Sequence, residues 1–237
     1  MPSDLCLLRD ELTAAPAAVF PSAKAGSIDW RRLDYLAHGN PRQRSAHALL
    51  TAGVRDALAA QCSNLALVST VAIGLDRPGS DLDIVCQHPE PATFAAALAA
   101  QGWRVAQKGA DIWLAEQIVT GADGHPWPLE LYLTPEPLER LNGWRHLSLM
   151  ASLLEQFGAA FYHQVLRLRL EEGLKGEAAM CHLLGLAGDP YAALLTLEGG
   201  ELAPLAWQPR AIGPHCTANS NTSSTSSHLN RAQRTFS

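Results

Sequence analysis

The clearest pattern in the chain is a series of short apolar runs separated by turn residues, between residues 64 and 134. Runs of four to eight apolar and β-branched residues bounded by Gly, Pro, Asn or Asp are typical of β-strands. An Ala-rich segment, Pro91–Gln101, interrupts the series and predicts a helix that ends at Gly102. The predicted strands are Asn64–Ser69, Asp81–Cys86, Trp103–Lys108, Ile112–Val119 and Leu129–Thr134.

Helical spacing of apolar residues dominates on both sides of these strands. Upstream, Gly39-Asn40-Pro41 is a break, after which Arg42–Ala60 has the pattern of an amphipathic helix. The pattern predicts an α+β fold, in which a small mixed β-sheet core has flanking helices and a C-terminal helical annex. The annex is predicted to contain the helical segments Leu138–Leu141, Trp144–Phe157, Ala159–Leu170, Gly176–Leu186 and Pro190–Leu197.

Changes in composition divide the chain into four stretches. Residues 1–28 form an N-terminal segment and linker, residues 29–134 the core, and residues 135–200 the helical region. Residues 201–237 are rich in Ser and Thr and cannot bury enough apolar area to offset the entropy of ordering, so a disordered tail is expected there. Truncation at Gly200 is accordingly expected to leave folding unchanged.

Composition and charge exclude several classes of function. The chain has 237 residues, of which 47% are hydrophobic, and a formal net charge of −5. That balance argues against a large non-specific nucleic-acid surface and favours small molecules or nucleotides as ligands. Five cysteines without a CxxC pair suggest neither a zinc site nor a disulfide framework. No apolar run is long enough to span a bilayer, so we expect a cytoplasmic protein without membrane contact, while the oligomeric state is not indicated.

Two carboxylates stand one residue apart in Asp81-Leu-Asp83, at the start of a strand. Residues i and i+2 of a strand project from the same face, about 6.5 Å apart. Two such charges repel each other unless a cation lies between them, and their hard oxygen atoms suit Mg²⁺ or Mn²⁺. A pair of this kind can share two metal ions, although Asp after Pro78-Gly79 is also common in turns and helix caps.

A third carboxylate candidate is Glu130, which lies between Leu129 and Leu131 in a predicted strand. A charge in an apolar strand is costly unless a metal or a cation pairs with it. Two-metal sites for phosphoryl transfer commonly use a further carboxylate to hold the catalytic ion and to accept the proton of the nucleophile. A solvent-facing position on an edge strand is the alternative explanation for Glu130.

Together these residues resemble the nucleotidyltransferase superfamily of the DNA polymerase β type. The shared pattern is a small-residue turn at Ser69-Thr70, a carboxylate pair at Asp81 and Asp83, and a later isolated carboxylate at Glu130. The region from Leu33 to Glu198 also looks like a small bacterial family of unknown function, DUF4269. The segments that carry this second resemblance are Gly39–Gln43, Ile73–Cys86, Asn142–His146, Gly173–Ala178 and Gly188–Leu195.

The resemblance implies a minimal nucleotidyltransferase fold and a metal-dependent reaction. Asp81 and Asp83 would bind both metal ions and Glu130 the catalytic one, while an acceptor hydroxyl attacks the α-phosphorus of a nucleoside triphosphate and pyrophosphate leaves. The acceptor would be a small molecule, a protein or an RNA end. The residues expected to hold the phosphates are Ser69, Thr70 and Ser80, and the candidate cations for the leaving group are Arg42, Arg77, Arg145 and Lys175.

Other readings of these residues stay open. The superfamily usually has Gly where this chain has Ser69, which suggests a second hypothesis, a non-catalytic nucleotide or metal sensor on the same fold. A structural interaction module is a third. In the alternative interpretation, Arg42 at a helix start belongs to a capped first turn, and Arg145 and His146 are packing residues of a helix. Arg167–Glu172 is expected to be an exposed helix face.

Overall fold

The computed structural model of the chain describes residues 29–200, 202 and 205–208. The predictions for residues 1–28 and for most of the tail, 201–237, lie outside this part. The chain divides into two units, Met1–Trp207 and Gln208–Ser237, and the architecture described below belongs to the first. The predicted division into domains stays a prediction.

A five-stranded mixed sheet forms the centre of the fold, in the order β1-β2-β5-β4-β3. β2 and β5 are parallel neighbours, and the other three pairings are antiparallel. The parallel pair is possible because one helix and two strands separate β2 from β5 in the sequence. The strands are β1 (Asn64–Leu67), β2 (Leu82–Gln87), β3 (Arg104–Gly109), β4 (Ile112–Thr120) and β5 (Pro126–Thr134).

The two central strands place apolar residues on one face and polar residues on the other. Leu82, Ile84 and Cys86 of β2 pair with Leu129, Leu131 and Leu133 of β5, and all six are buried. Because side chains alternate along a strand, the residues between them project from the opposite face. On that face Asp83 pairs directly with Glu130.

Short helices precede the sheet. α1 (Pro41–Leu49) begins at Asn40, whose side chain accepts a hydrogen bond from the backbone of Gln43 while Gln43 bonds back to Asn40. The predicted helix from Arg42 to Ala60 is interrupted, since non-helical backbone at Ala52 and Gly53 lies in a π-helical segment before α2. The remaining short elements are α2 (Arg55–Ala59) and the 3₁₀ helices Asp34–His38, Thr70–Ile73 and Leu138–Arg140.

The helical region after the sheet begins with two helical segments that meet at Gly158, as predicted from the sequence. Both belong to α4 (Asn142–Glu171), whose backbone is non-helical at Gly158, where φ is 71° and the helix kinks. A left-handed φ is available to Gly without the strain that a side chain causes, so Gly158 can form the kink between the two segments. The other helices are α3 (Pro91–Ala100) against β3, β4 and β5, then α5 (Gly176–Leu184) and α6 (Pro190–Leu195) beside α4.

The last described residues pack against α4. The Trp207 ring lies 5.0 Å from the Phe161 ring and 6.1 Å from the Phe157 ring, centroid to centroid. Gln156 donates a hydrogen bond to the Leu202 carbonyl at 2.7 Å. A truncation meant to leave folding unchanged should therefore be made after Gln208 rather than at Gly200.

The α+β class with a small mixed sheet and flanking helices is confirmed. One expectation is wrong: Arg167–Glu172 is not an exposed face, because Leu168 and Arg169 are buried. In the part of the chain that is described, no helix combines the length and the apolar character needed to cross a membrane.

Candidate active site

The three predicted carboxylates converge on the polar face of the sheet. Asp83 on β2 and Glu130 on β5 are register partners, and Asp81 precedes β2 by one residue. Carboxylate oxygens of the three residues lie within 4.8 Å of one another. Asp81 is exposed and the other two are partly buried, so the cluster is open to ligands on one side.

A tight loop fixes the position of Asp81. Ser69 is buried, donates a hydrogen bond to the Asp81 carbonyl at 2.6 Å and accepts one from the Val71 amide at 3.2 Å. Nearby, the Val68 amide donates to the Asp83 carbonyl at 2.8 Å. The Ser69 hydroxyl is thus engaged in holding the two loops together, while Thr70 is the residue of this turn that reaches the neighbouring cavity.

That cavity has a volume of about 470 Å³, within the range of small-molecule sites. Asp83 and Glu130 line it on the sheet side, and the N-terminal half of α4 lines it with apolar and polar groups. Sequence reasoning missed several of its walls, although most lie in the segments that carry the DUF4269 resemblance. The further lining residues include Tyr132, Asn142, Gly143, His146, Glu177 and Tyr191.

Burial and neighbouring charges raise the pKa of two of the carboxylates, Asp83 and Glu130. Burial, together with the charges of Asp81 and Glu130, raises the pKa of Asp83 to about 7 from an ordinary value of 3.8. Burial and the charge of Asp81 also raise the pKa of Glu130. Glu177 contributes a fourth negative charge, while Lys175 acts in the opposite direction. The cluster therefore lacks sufficient positive charge of its own, which is the electrostatic setting of a cation site.

The chemistry of the donor set fits a hard divalent cation. Three carboxylates supply only oxygen atoms, which Mg²⁺ and Mn²⁺ prefer. No histidine or cysteine belongs to this group of ligand atoms. The spacing of the oxygens, within 4.8 Å, allows them to bind one ion in common or two neighbouring ions.

Comparison with known proteins gives one positive result. The family model described as "Domain of unknown function (DUF4269)" matches residues 47–197, which is more than half of the chain. The chain belongs to the DUF4269 family. Searches of curated proteins and of solved structures found no significant match.

In this DUF4269 protein the matched residues contain the whole carboxylate cluster and the walls of the cavity. Arg42 and Gly39–Gln43 precede the match, so part of the N-terminal support lies outside it. Gln43 illustrates that support, because its buried amide donates to the Val71 carbonyl at 2.9 Å and so ties α1 to the Ser69 loop.

Three of the four predicted cations of this DUF4269 protein have other partners. Arg42 pairs with buried Asp76, and its guanidinium lies 4.4 Å from the centre of the Trp127 ring. Arg77 donates to the Gly173 carbonyl at 2.9 Å, and its own amide donates to the Ser80 hydroxyl at 3.0 Å. Arg145 pairs with Glu198. These contacts give the three arginines, and Ser80, a role in holding loops.

Lys175 is the predicted cation that lies near the carboxylates. Its ammonium donates to the Tyr191 hydroxyl at 2.9 Å, and no carboxylate of the described residues is within ion-pair distance of it. The hydrogen bond to Tyr191, with the charges of Glu177 and Asp81, raises the pKa of Lys175. The side chain is therefore charged and available to an anionic ligand.

Arg169 is a second cation, which the sequence reasoning missed. It is 5% exposed, donates through Nε to the Leu75 carbonyl, and donates through Nη2 to the Thr70 hydroxyl at 3.3 Å. No acidic side chain of the described residues forms an ion pair with it. Burial and the charge of Arg77 lower its pKa. This buried charge holds both ends of the Thr70–Leu75 loop beside the cavity.

A second cavity, of about 450 Å³, lies on the other side of the cluster. Glu130 lines both cavities, whereas Asp83 lines only the first and Asp81 only the second. The lining of the second cavity includes Ile118, which is 70% exposed. The carboxylates thus stand between two spaces, each large enough for a small molecule.

Proposed function

We propose that this DUF4269 protein is a metal-dependent nucleotidyltransferase that moves a nucleoside monophosphate from a nucleoside triphosphate to a hydroxyl acceptor. The observation that carries the proposal is the convergence of Asp81, Asp83 and Glu130 between two cavities. A transfer reaction needs a donor and an acceptor on either side of one reacting centre. The arrangement supports the superfamily resemblance of the sequence.

The carboxylates would hold Mg²⁺ or Mn²⁺. When bound, such ions neutralise the developing charge of a transferring phosphoryl group and orient the attacking and leaving oxygens. Without a cation, burial and the mutual repulsion of the carboxylates destabilise their charged forms, as the raised pKa of Asp83 indicates. Asp81 and Asp83 would bind both ions, and Glu130 would complete the set as a ligand of the catalytic ion.

The chain's own side chains have distinct tasks in the transfer. The donor triphosphate would occupy the cavity next to Thr70, with Lys175 near the departing phosphates. Ammonium groups bind phosphate by charge-assisted hydrogen bonds. Arg169 would act indirectly, by holding the Thr70 loop in place.

The transfer forms one phosphorus–oxygen bond and breaks another. The acceptor oxygen forms a bond to the α-phosphorus while the bond from that phosphorus to the bridging oxygen of the β-phosphate breaks. Pyrophosphate leaves with its new negative charge next to Lys175. The hydroxyl proton would pass to a carboxylate oxygen of Glu130.

The test uses each α-labelled nucleoside triphosphate with Mg²⁺ or Mn²⁺ and a fractionated cell extract. We expect label to enter one fraction and pyrophosphate to be released by the parent protein. Asp83→Asn should lower the rate by more than the 10- to 100-fold that is typical for residues behind metal ligands, here more than about 100-fold. The matched control is Asp111→Asn, a like substitution at an exposed turn between β3 and β4.

The outcome that contradicts the proposal is equal transfer by the parent and by Asp83→Asn. Absence of transfer in every fraction, with nucleotide still bound in a cation-dependent way, would favour the second candidate, a sensor. One observation favours that candidate: the buried Ser69 closes the turn where the superfamily usually has Gly. Calorimetry then distinguishes them, because a sensor binds the metal–nucleotide complex and releases no pyrophosphate.

A further inference from the structure

The inference concerns Tyr191, an aromatic residue on the wall of the 470 Å³ cavity. Tyr191 is the second residue of α6, and 39% of its surface is exposed, which is unusual for a large apolar residue in the described part of the chain. The neighbouring residues hold its ring in place. A rigid aromatic surface that remains open to a cavity is a stacking surface without a partner.

Two contacts fix the ring. His146, which is buried, approaches it edge to face at 5.4 Å between centroids, and the His146 Nε2 atom lies 3.0 Å from the Tyr191 carbonyl oxygen. Lys175 donates to the hydroxyl at 2.9 Å. The position of Tyr191 is therefore set by α4 and by the start of α5 as well as by α6 itself.

Lys175 lies at the hydroxyl end of the ring. Its ammonium is 2.9 Å from the hydroxyl oxygen and 5.5 Å from the ring centre, so it stands beyond the hydroxyl and does not cover a ring face. A hydrogen bond from an ammonium group to a neutral phenol at a partly exposed site is weak. A phosphate chain is a stronger partner for an ammonium ion, because both groups are then charged.

We propose that Lys175 exchanges the Tyr191 hydroxyl for the phosphates of an incoming nucleotide, and that the Tyr191 ring stacks on the nucleobase. This inference rests on the proposed function. It adds that the cavity recognises the base of the donor nucleotide as well as its phosphates. Stacking on an aromatic ring tolerates every base, because each base has a π-face. Purine nucleotides should bind more tightly than pyrimidine nucleotides, since their larger ring system covers more of the tyrosine.

The experiment measures equilibrium binding to the full chain by calorimetry, with Ca²⁺ in place of Mg²⁺ to suppress turnover. The ligands are ATP and inorganic tripolyphosphate, which has the phosphates but no base. Tyr191→Leu should weaken ATP binding by about 5- to 150-fold, the range that loss of base–aromatic stacking produces, without weakening tripolyphosphate binding. Tyr191→Phe, which keeps the ring, should keep most of the ATP affinity.

Lys175→Gln separates the two parts of the inference. We expect it to weaken ATP and tripolyphosphate together, because both ligands lose the same ammonium contact. A Tyr191→Leu variant that binds both ligands as the parent does, or that loses both equally, would overturn the inference and leave the proposed function standing. Failure of the parent to bind either ligand would overturn both.

A measurement on the parent alone keeps the inference testable if Tyr191→Leu does not fold. Ribose 5-triphosphate has the sugar and the phosphates of a nucleotide but lacks the base. We expect it to bind at least about 5-fold more weakly than ATP. Equal affinities would show that the base does not contribute to binding and would overturn the proposed stacking on Tyr191.

Discussion

The two faces of the β2–β5 pair are made by the same strands and have opposite energetics. On one face Ile84 and Leu131 belong to a fully buried apolar layer. On the other, Asp83 and Glu130 bring like charges together at the same step of the ladder. Like charges directly opposite each other are destabilising in a sheet. The comparison indicates that the apolar face stabilises an arrangement which the polar face alone would not allow.

The largest effect is expected on the apolar face. Leu131→Ala should lower the free energy of unfolding by about 2–5 kcal/mol, because it removes buried methyl groups and leaves a cavity. Urea denaturation measures the difference. The neighbouring substitution Glu130→Gln serves as control and should change stability much less. If the two substitutions destabilised the fold equally, the contrast between the faces would not hold.

The polar face predicts a pH effect in metal-free protein. The pKa of Asp83 is raised to about 7, so the folded state holds this proton more tightly than the unfolded chain does. The stabilising contribution is full below about pH 4 and is lost as the pH rises through 7. Asp83→Asn should remove the part of this dependence that Asp83 causes and be more stable than the parent at pH 8, by up to about 4 kcal/mol.

Thermal unfolding of both proteins between pH 4 and pH 8, with a chelator present, tests whether the parent loses stability relative to Asp83→Asn as the pH rises. Asp111→Asn is the matched control and should follow the parent. A parent protein that becomes more stable as the pH rises, relative to Asp83→Asn, would contradict the electrostatic account of the polar face.

Addition of a divalent cation should offset the destabilisation that ionised Asp83 causes at pH 8. At a concentration about 100 times its dissociation constant, Mg²⁺ or Mn²⁺ should stabilise the parent at pH 8 by about 2.7 kcal/mol. Asp83→Asn should show little of this gain, because it lacks one carboxylate ligand. Melting curves at increasing metal concentration measure the stabilisation of the parent and of Asp83→Asn. Equal stabilisation of the two proteins would show that the cation binds at another site.

The smallest effect is expected at the loop that supports Asp81. Ser69→Ala should cost about 1 kcal/mol, since it removes two hydrogen bonds of a buried hydroxyl. It should also weaken metal binding, because the Asp81 backbone loses its tether. Ser80→Ala, which removes a hydroxyl from the same loop outside the Asp81 tether, provides the comparison. Identical metal affinity in all three proteins would show that Ser69 only fills space.

Much of this arrangement can be read from local sequence. Apolar runs and turn residues predict the strands, and the spacing of Asp81 and Asp83 predicts a shared face. The partner of β2 is not predictable in this way, because parallel pairing depends on contacts distant in sequence. Glu130 could be nominated as a carboxylate in an apolar strand, but its alignment with Asp83 required the register of the sheet.

Arg169 was missed for an instructive reason. Phe161, Val165 and Arg169 are spaced by four residues, so helical periodicity places the arginine on the buried face of α4. A charged residue type favours exposure, whereas the spacing favours burial, and the structure follows the spacing. The Thr70 hydroxyl and the Leu75 carbonyl that receive its hydrogen bonds lie on a remote loop, which local patterns do not reveal.

The parallel pairing of β2 with β5 has a consequence for the order in which the chain matures. A ribosome releases Asp81 and Asp83 well before Glu130, and α3, β3 and β4 emerge in between. Contacts between segments distant in sequence also form late, because a long loop must close first. A newly made chain therefore completes its group of three carboxylates only after β5 has been synthesised and has paired with β2.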